Sequence, residues 1–111
     1  MKTGTALAIL FLAALLEAGG DAVLRVALHT SSLWPRIGLF VLAAGLLFAY
    51  GWTVNAPPWD FGRLLGLYVV FFFVIAQAIS WIGFKQAPSL AVWIGGALIV
   101  SGGLVIAVGR A

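Results

Sequence analysis

The sequence predicts an all-α membrane protein of four transmembrane helices, assembled as a dimer. Of its 111 residues, 64% are hydrophobic and only 8% are charged, whereas soluble domains carry about a quarter charged residues. The apolar residues fall into four stretches, each close to the roughly 20 residues that a helix needs to cross a hydrocarbon core of about 30 Å. A soluble fold of this length could not bury so many apolar side chains, so we expect them to be surrounded by lipid.

The four spans form one domain, 1–111, and are predicted at about 3–28, 33–54, 62–84 and 88–108. The first is expected to be a retained helix and not a cleaved signal peptide, because three more hydrophobic spans follow it. Pro35 stands near the start of the second, where its missing backbone N–H costs nothing. The proline-containing segment 55–60 separates the second span from the third. The short link 85–88 makes the third and fourth spans antiparallel neighbours.

Composition argues against several classes of function. The net charge is +3, but the six Lys and Arg residues are scattered singly between apolar stretches. They are therefore expected at membrane boundaries and not on a nucleic-acid-binding face. The chain has no cysteine and one histidine, so neither thiol chemistry nor a metal site is expected. The sequence shows no constellation of a nucleophile with a base, so we do not expect an enzyme.

The Lys and Arg residues are balanced across the membrane. Four spans place both termini on one side, and each side then receives three basic residues: Lys2, Arg63 and Arg110 on one, Arg25, Arg36 and Lys85 on the other. The positive-inside rule therefore gives no preferred orientation. Two interpretations stay open: insertion decided by other features, or dual topology, in which copies insert both ways and pair antiparallel.

Glu17 is the main functional candidate, because it lies deep in the first span. It follows the start of that span by about 14 residues, or roughly 20 Å, which places it past the midplane. A charge at such depth costs about 2.5–3.5 kcal/mol, and intramembrane ionisable residues are functional candidates by default. A carboxylate there can exchange a proton for a cation. Alternatively, Asp21 and Arg25 follow at i+4 and i+8, so an ion-paired ladder would neutralise the face, with Arg25 the natural partner of Asp21.

Other candidates surround this carboxylate. Gly20 lacks a side chain and would let a ligand, or simply another helix, approach closely. Tyr68 in the aromatic third span is expected to line a site, because its hydroxyl needs a partner within the membrane. Asp21, Gln77 and Trp81 are secondary candidates, since aromatic and polar groups near an acid suit organic cations.

The fourth span carries a stripe of small residues, Gly95, Gly96, Gly102 and Gly103. Small residues let membrane helices meet closely, so this stripe is expected at a helix–helix interface, within the chain or between subunits. A chain of four helices can hardly enclose a substrate-sized cavity with its own walls. We therefore expect at least a dimer.

Three segments carry a resemblance to a known family. Leu-Leu-Glu-Ala-Gly-Gly at 15–20 resembles a Glu-x-x-Gly pattern in a first helix. Gly62-Arg63 followed by Tyr68 resembles a Gly-Arg-x-x-x-x-Tyr pattern that opens a third helix. The segment 93–102 resembles a Trp-x-Gly-Ala-Leu-Ile pattern in a last helix, with one extra glycine. Together they resemble the small multidrug resistance superfamily, most closely its YnfA-like branch within the drug/metabolite transporter group.

The resemblance implies a multi-pass exporter of the inner (plasma) membrane that works as an antiparallel or dual-topology homodimer. Its substrates would be small cationic or amphipathic compounds exchanged for protons, with the proton as coupling ion and no other cofactor. Glu17 would be the shared proton and substrate site, lined by Tyr68, and the last helix would form the dimer contact. Asp21 is an addition to the family pattern. Two alternatives remain: a transporter of lipid-linked or neutral metabolites, and a non-transporting membrane subunit that packs against a partner.

Overall fold

The computed structural model describes residues 2–109, which form four α-helices and one π-helical segment. The helices are α1 (Thr3–Leu28), α2 (Leu33–Val54), α3 (Phe61–Ala78) and α4 (Leu90–Val108), and the π-helical segment Ile79–Gly83 continues α3. Counting that segment with α3, all four are long and apolar enough to cross a membrane. The prediction of an all-α protein with four helices of membrane-spanning length and hydropathy is thereby confirmed. Arg110, which entered the predicted charge balance, lies outside the described residues.

Polar side chains close the ends of the helices. At the end of α1, Thr30 Oγ1 donates to the Val26 carbonyl at 2.7 Å, and His29 Nδ1 lies 2.7 Å from the Arg25 carbonyl. Asn55 Nδ2 donates to the Gly51 carbonyl at 2.8 Å at the end of α2. The last carbonyls of a helix have no partner inside it, so these local bonds define where each span stops.

The end of the third span departs from the sequence prediction of one regular helix. After Ala78 the backbone widens into the π-helical segment, in which the Phe84 N–H donates to the Ile79 carbonyl five residues earlier, at 3.2 Å. Lys85 then adopts a left-handed conformation with φ 57°. This reverses the chain within a short link, and α4 begins at Leu90 after Ser89, whose Oγ accepts from the Val92 N–H at 3.3 Å.

The core is built by the first three helices. Small residues of α1, among them Ala13, Ala14 and Ala18, pack with Leu64 and Leu67 of α3 in one buried cluster, and α2 packs along α1. The fourth helix packs against α3, which agrees with the short link between them. Its remaining faces are apolar and exposed. A single chain thus has a packed three-helix body and a fourth helix with large uncovered surface.

Candidate functional site

The structure brings Glu17 and Tyr68 together in the interior of the bundle. Tyr68 Oη donates a hydrogen bond to Glu17 Oε1 at 2.8 Å, joining α1 to α3 across 51 positions of sequence. Tyr68 is only 4% exposed, whereas Glu17 is half-buried. The tyrosine therefore holds the carboxylate from one side and leaves its other side open to a ligand.

Tyr50 of α2 is a site residue that the sequence argument missed. Its ring centroid lies 5.6 Å from that of Tyr68, and Phe72 stands on the other side of Tyr68 at 6.3 Å. The chain contains two tyrosines, and both meet beside the carboxylate. The reason given for Tyr68, that a hydroxyl in a membrane span needs a partner, would also have selected Tyr50, although the Tyr50 hydroxyl makes no hydrogen bond among the described side chains.

The position of the site along the bundle differs between the helices that form it. Tyr68 lies seven residues, about 10 Å, from the start of α3, and Tyr50 lies four residues, about 6 Å, from the end of α2. Helical side chains lean toward the N-terminus of their own helix, which for α1 and α3 is the side of the α2–α3 loop. Counted along α3, the site thus lies in the half of the helix next to that loop, whereas counted along α1, Glu17 lies near the middle of the helix. The two counts differ because α1 starts about 10 Å further from the site than α3 does.

Gly20 faces α2 and not the open side of Glu17. It is buried, and a Cβ placed there would lie 2.9 Å from the Leu47 side chain and 3.3 Å from Leu46. Gly19, by contrast, has open space beside it. The structure therefore gives Gly20 a packing contact between α1 and α2, and its predicted role in binding substrate has no geometric support in a single chain.

Asp21 lies one turn beyond Glu17 and lines a cavity of about 240 Å³ between α1 and the end of the third span. No ion pair between Asp21 and Arg25 is formed within residues 2–109, so the alternative of a self-neutralising charge ladder is not realised. The Arg25 guanidinium lies over the Phe84 ring instead, 5.5 Å from its centroid. That contact draws Arg25 toward the third span and leaves the Asp21 carboxylate facing the cavity.

Gln77 and Trp81 lie away from this site. Gln77 follows Tyr68 by nine residues, which at about 100° per residue places the two on opposite faces of α3. Both secondary candidates line a second, larger groove of about 610 Å³ between α3 and α4, where Trp81 meets Trp93 edge to face at 6.1 Å. Neither is brought to Glu17 within one chain.

The glycines of α4 divide into two pairs. A Cβ at Gly96 would lie 2.7 Å from Phe73, and one at Gly103 would collide with Val70, so these two glycines seat α4 on α3. Gly95 and Gly102 have nothing within 4 Å. Of the four glycines predicted to face a second subunit, only Gly95 and Gly102 are therefore available for such a contact in this structure.

The chain matches no protein-family model, no curated protein and no solved structure. Within residues 2–109, no group of three or more His, Cys, Asp or Glu side chains is placed to hold a metal ion.

Proposed function

We propose that the protein is a small multidrug-resistance-like exporter of the plasma membrane, which exchanges protons for small cationic or amphipathic compounds at Glu17. The observation that carries this proposal is the bond from Tyr68 Oη to Glu17 Oε1, at 2.8 Å, inside a bundle of membrane-length helices. Intramembrane carboxylates are rare and expensive, and they mark ion and substrate pathways.

The proposed exchange depends on the Glu17 carboxylate, which accepts the hydrogen bond from Tyr68. In a medium of low dielectric constant, Glu17 is stabilised either by a bound proton or by a cation, but not by both at once. A cation that reaches the carboxylate therefore displaces the proton. The rings of Tyr50, Tyr68 and Phe72 offer faces for the organic part of such a cation, with each cation–π contact worth about 0.5–2 kcal/mol.

A second copy of the chain completes the proposed site. One chain leaves Glu17 half-buried and α4 largely uncovered, with Leu98 and Val105 about two thirds exposed. The outward glycines, Gly95 and Gly102, allow a close helix contact with such a copy. Together with the balanced basic residues of the sequence, this favours an antiparallel homodimer that brings two Glu17 carboxylates to one site.

A second candidate function, transport of a lipid-linked or neutral metabolite, has one observation in its favour. The groove of about 610 Å³ between α3 and α4 is lined mainly by apolar side chains and is large enough for part of an acyl chain. This candidate uses the other face of α3 and does not need Glu17. The proton measurement below therefore separates the two.

Proton release from detergent-solubilised protein tests the proposed function. Tetramethylammonium and guanidinium ions, added to weakly buffered protein, should each release protons. The release should vanish in Glu17→Gln, which keeps the shape of the side chain and removes its titration. Asp60→Asn is the matched control, because Asp60 is an exposed acid in the α2–α3 loop and should release protons as the wild type does.

The absence of cation-dependent release from the wild type across a broad panel of cations would remove the antiporter proposal. Equal loss of release in both variants would show a non-specific effect of charge. Orientation is tested by single cysteines placed in the α1–α2 loop, because the natural chain has none. Labelling from one membrane face only would exclude dual topology.

A further inference from the structure

The cavity beside Asp21 holds two opposite charges that do not pair with each other. Asp21 and Arg25 both line it, one helical turn apart on α1, and no ion pair joins them within the described part of the chain. The Arg25 guanidinium carbon lies over the Phe84 ring, 5.5 Å from its centroid. A contact with an aromatic ring pairs none of the guanidinium N–H groups with an oxygen acceptor. An anionic group and a set of cationic donors are thus both free to bind a ligand.

The opposite wall of the cavity is polar as well. The π-helical segment and the turn after it bring Ser80 and Gln86 together, with the Gln86 N–H donating to the Ser80 carbonyl at 2.9 Å. Ser80 Oγ lies 3.3 Å from the Gln86 carbonyl oxygen and 3.5 Å from its Oε1. A regular helix continued to Phe84 would not form this turn, so the departure from α-helix shapes the wall.

Electrostatic complementarity selects the class of ligand. A simple cation would be attracted by Asp21 but repelled by Arg25, and a simple anion would be attracted by Arg25 but repelled by Asp21. A ligand with both charges satisfies both side chains. Residues at i and i+4 of a helix are neighbours on its surface, with Cβ atoms about 5–6 Å apart, so one small ligand can reach both side chains.

We propose that this cavity is a binding site for a small zwitterion that carries an ammonium or guanidinium group and an acidic group joined by a short linker. The cationic group lies at Asp21, one turn from Glu17, and the acidic group lies at Arg25, nearer the end of α1. Ser80 and Gln86 accept further hydrogen bonds from the cationic group. The same chemistry is offered by a free ω-amino acid and by the headgroup of phosphatidylethanolamine. The inference goes beyond the proposed exchange at Glu17 and does not need it.

The first arm of the test measures binding of 4-aminobutyrate to purified, delipidated protein by calorimetry, with n-butylammonium as the matched probe that lacks the carboxylate. The wild type should prefer 4-aminobutyrate by about tenfold or more, because each charge-assisted hydrogen bond contributes that much. Asp21→Asn and Arg25→Gln should each remove the preference, and Arg25→Lys should restore part of it. Glu17→Gln should retain it, which separates this site from the proposed exchange site.

The second arm measures retention of added phosphatidylethanolamine against phosphatidylglycerol by native mass spectrometry, with the same variants. Selective retention that Asp21→Asn and Arg25→Gln abolish, without a preference for 4-aminobutyrate, assigns the site to a lipid headgroup. If either variant fails to fold, Ala22→Leu fills the same cavity without touching a charge and should abolish binding. The inference is overturned if neither zwitterion is preferred, or if Arg25→Gln leaves the preference unchanged.

Discussion

The two faces of α3 serve two different regions of the molecule. The face toward α1 and α2 carries Tyr68, whose hydroxyl binds Glu17 and whose ring packs near Tyr50. The face toward α4 carries Val70 and Phe73, which close on glycines. The first region is built around a polar contact, and the second around close packing of apolar helices.

This difference teaches that ligand chemistry and helix assembly occupy separate surfaces of the same helix. The two pocket linings reflect it, since charged residues line the cavity on the α1 side and mainly apolar ones line the groove on the α4 side. Substitutions in one region should therefore leave the other measurable. The predictions below test that separation, from the largest expected effect to the smallest.

The largest effect is expected from Gly103→Ala in the α3–α4 region. The added methyl group would collide with Val70, a β-branched side chain that has one strongly preferred rotamer in a helix and cannot turn away. Overpacking of this kind costs about 1–3 kcal/mol. The free energy of unfolding in mixed detergent micelles, followed by tryptophan fluorescence, should fall by that amount.

Gly102→Ala is the matched control, because the neighbouring glycine has nothing within 4 Å and alanine favours the helix by about 1 kcal/mol. Monomer stability should therefore stay level or rise. Equal destabilisation by the two substitutions would contradict the assignment of inward and outward glycines. Proton release at Glu17 should match the wild type in Gly103→Ala, provided that this variant folds, because Gly103 faces α3 and not the second copy.

A medium effect is expected from Tyr68→Phe in the α1–α3 region. The substitution removes the hydroxyl that donates to Glu17 and keeps the ring. Hydrogen bonds between membrane helices contribute about 0.6 kcal/mol on average and about 1.7 at most. The free energy of unfolding should fall within that range, and cation binding should weaken with it because the carboxylate is no longer held.

Tyr50→Phe provides the comparison, since the hydroxyl of Tyr50 makes no hydrogen bond among the described side chains. Its effect on unfolding should stay within about 0.5 kcal/mol, as for substitutions that break no specific feature. If Tyr50→Phe proved as damaging as Tyr68→Phe, the stabilising feature would be the pair of rings and not the bond to Glu17.

Sequence patterns predicted the four helices of the chain, because length and hydropathy alone identify a helix that could span a membrane. The helices begin and end within two residues of the predicted spans. The site was only partly predictable. Glu17 and Tyr68 each stood out as a polar group in an apolar span, but their contact joins two helices, and no local pattern specifies that α3 presents Tyr68 at the depth of Glu17.

The misplaced expectations share one physical cause, which is that spacing along one helix does not reveal its neighbours. The i+4 spacing of Asp21 and Arg25 predicted an ion pair, but Phe84 from the α3–α4 link offers the guanidinium another contact. Consecutive glycines in α4 were expected to act together, but at about 100° per residue they face different directions. Contacts between helices therefore decide which residue of each pair is packed against a neighbouring helix or link and which remains exposed.

The smallest effect is expected at the α3–α4 link, where Lys85 holds a left-handed conformation with φ 57°. A residue with a Cβ pays about 1–2 kcal/mol there, and glycine avoids the strain but loses about 0.5–1 kcal/mol through its freer unfolded chain. Lys85→Gly should therefore raise the free energy of unfolding by about 0.5–1 kcal/mol. Lys85→Ala removes the charge and keeps the strain, so it should leave stability unchanged. If both variants had a higher free energy of unfolding than the wild type, the effect would come from the lysine charge. If only Lys85→Gly had a higher value, the turn behind the Asp21 cavity would be shown to be strained.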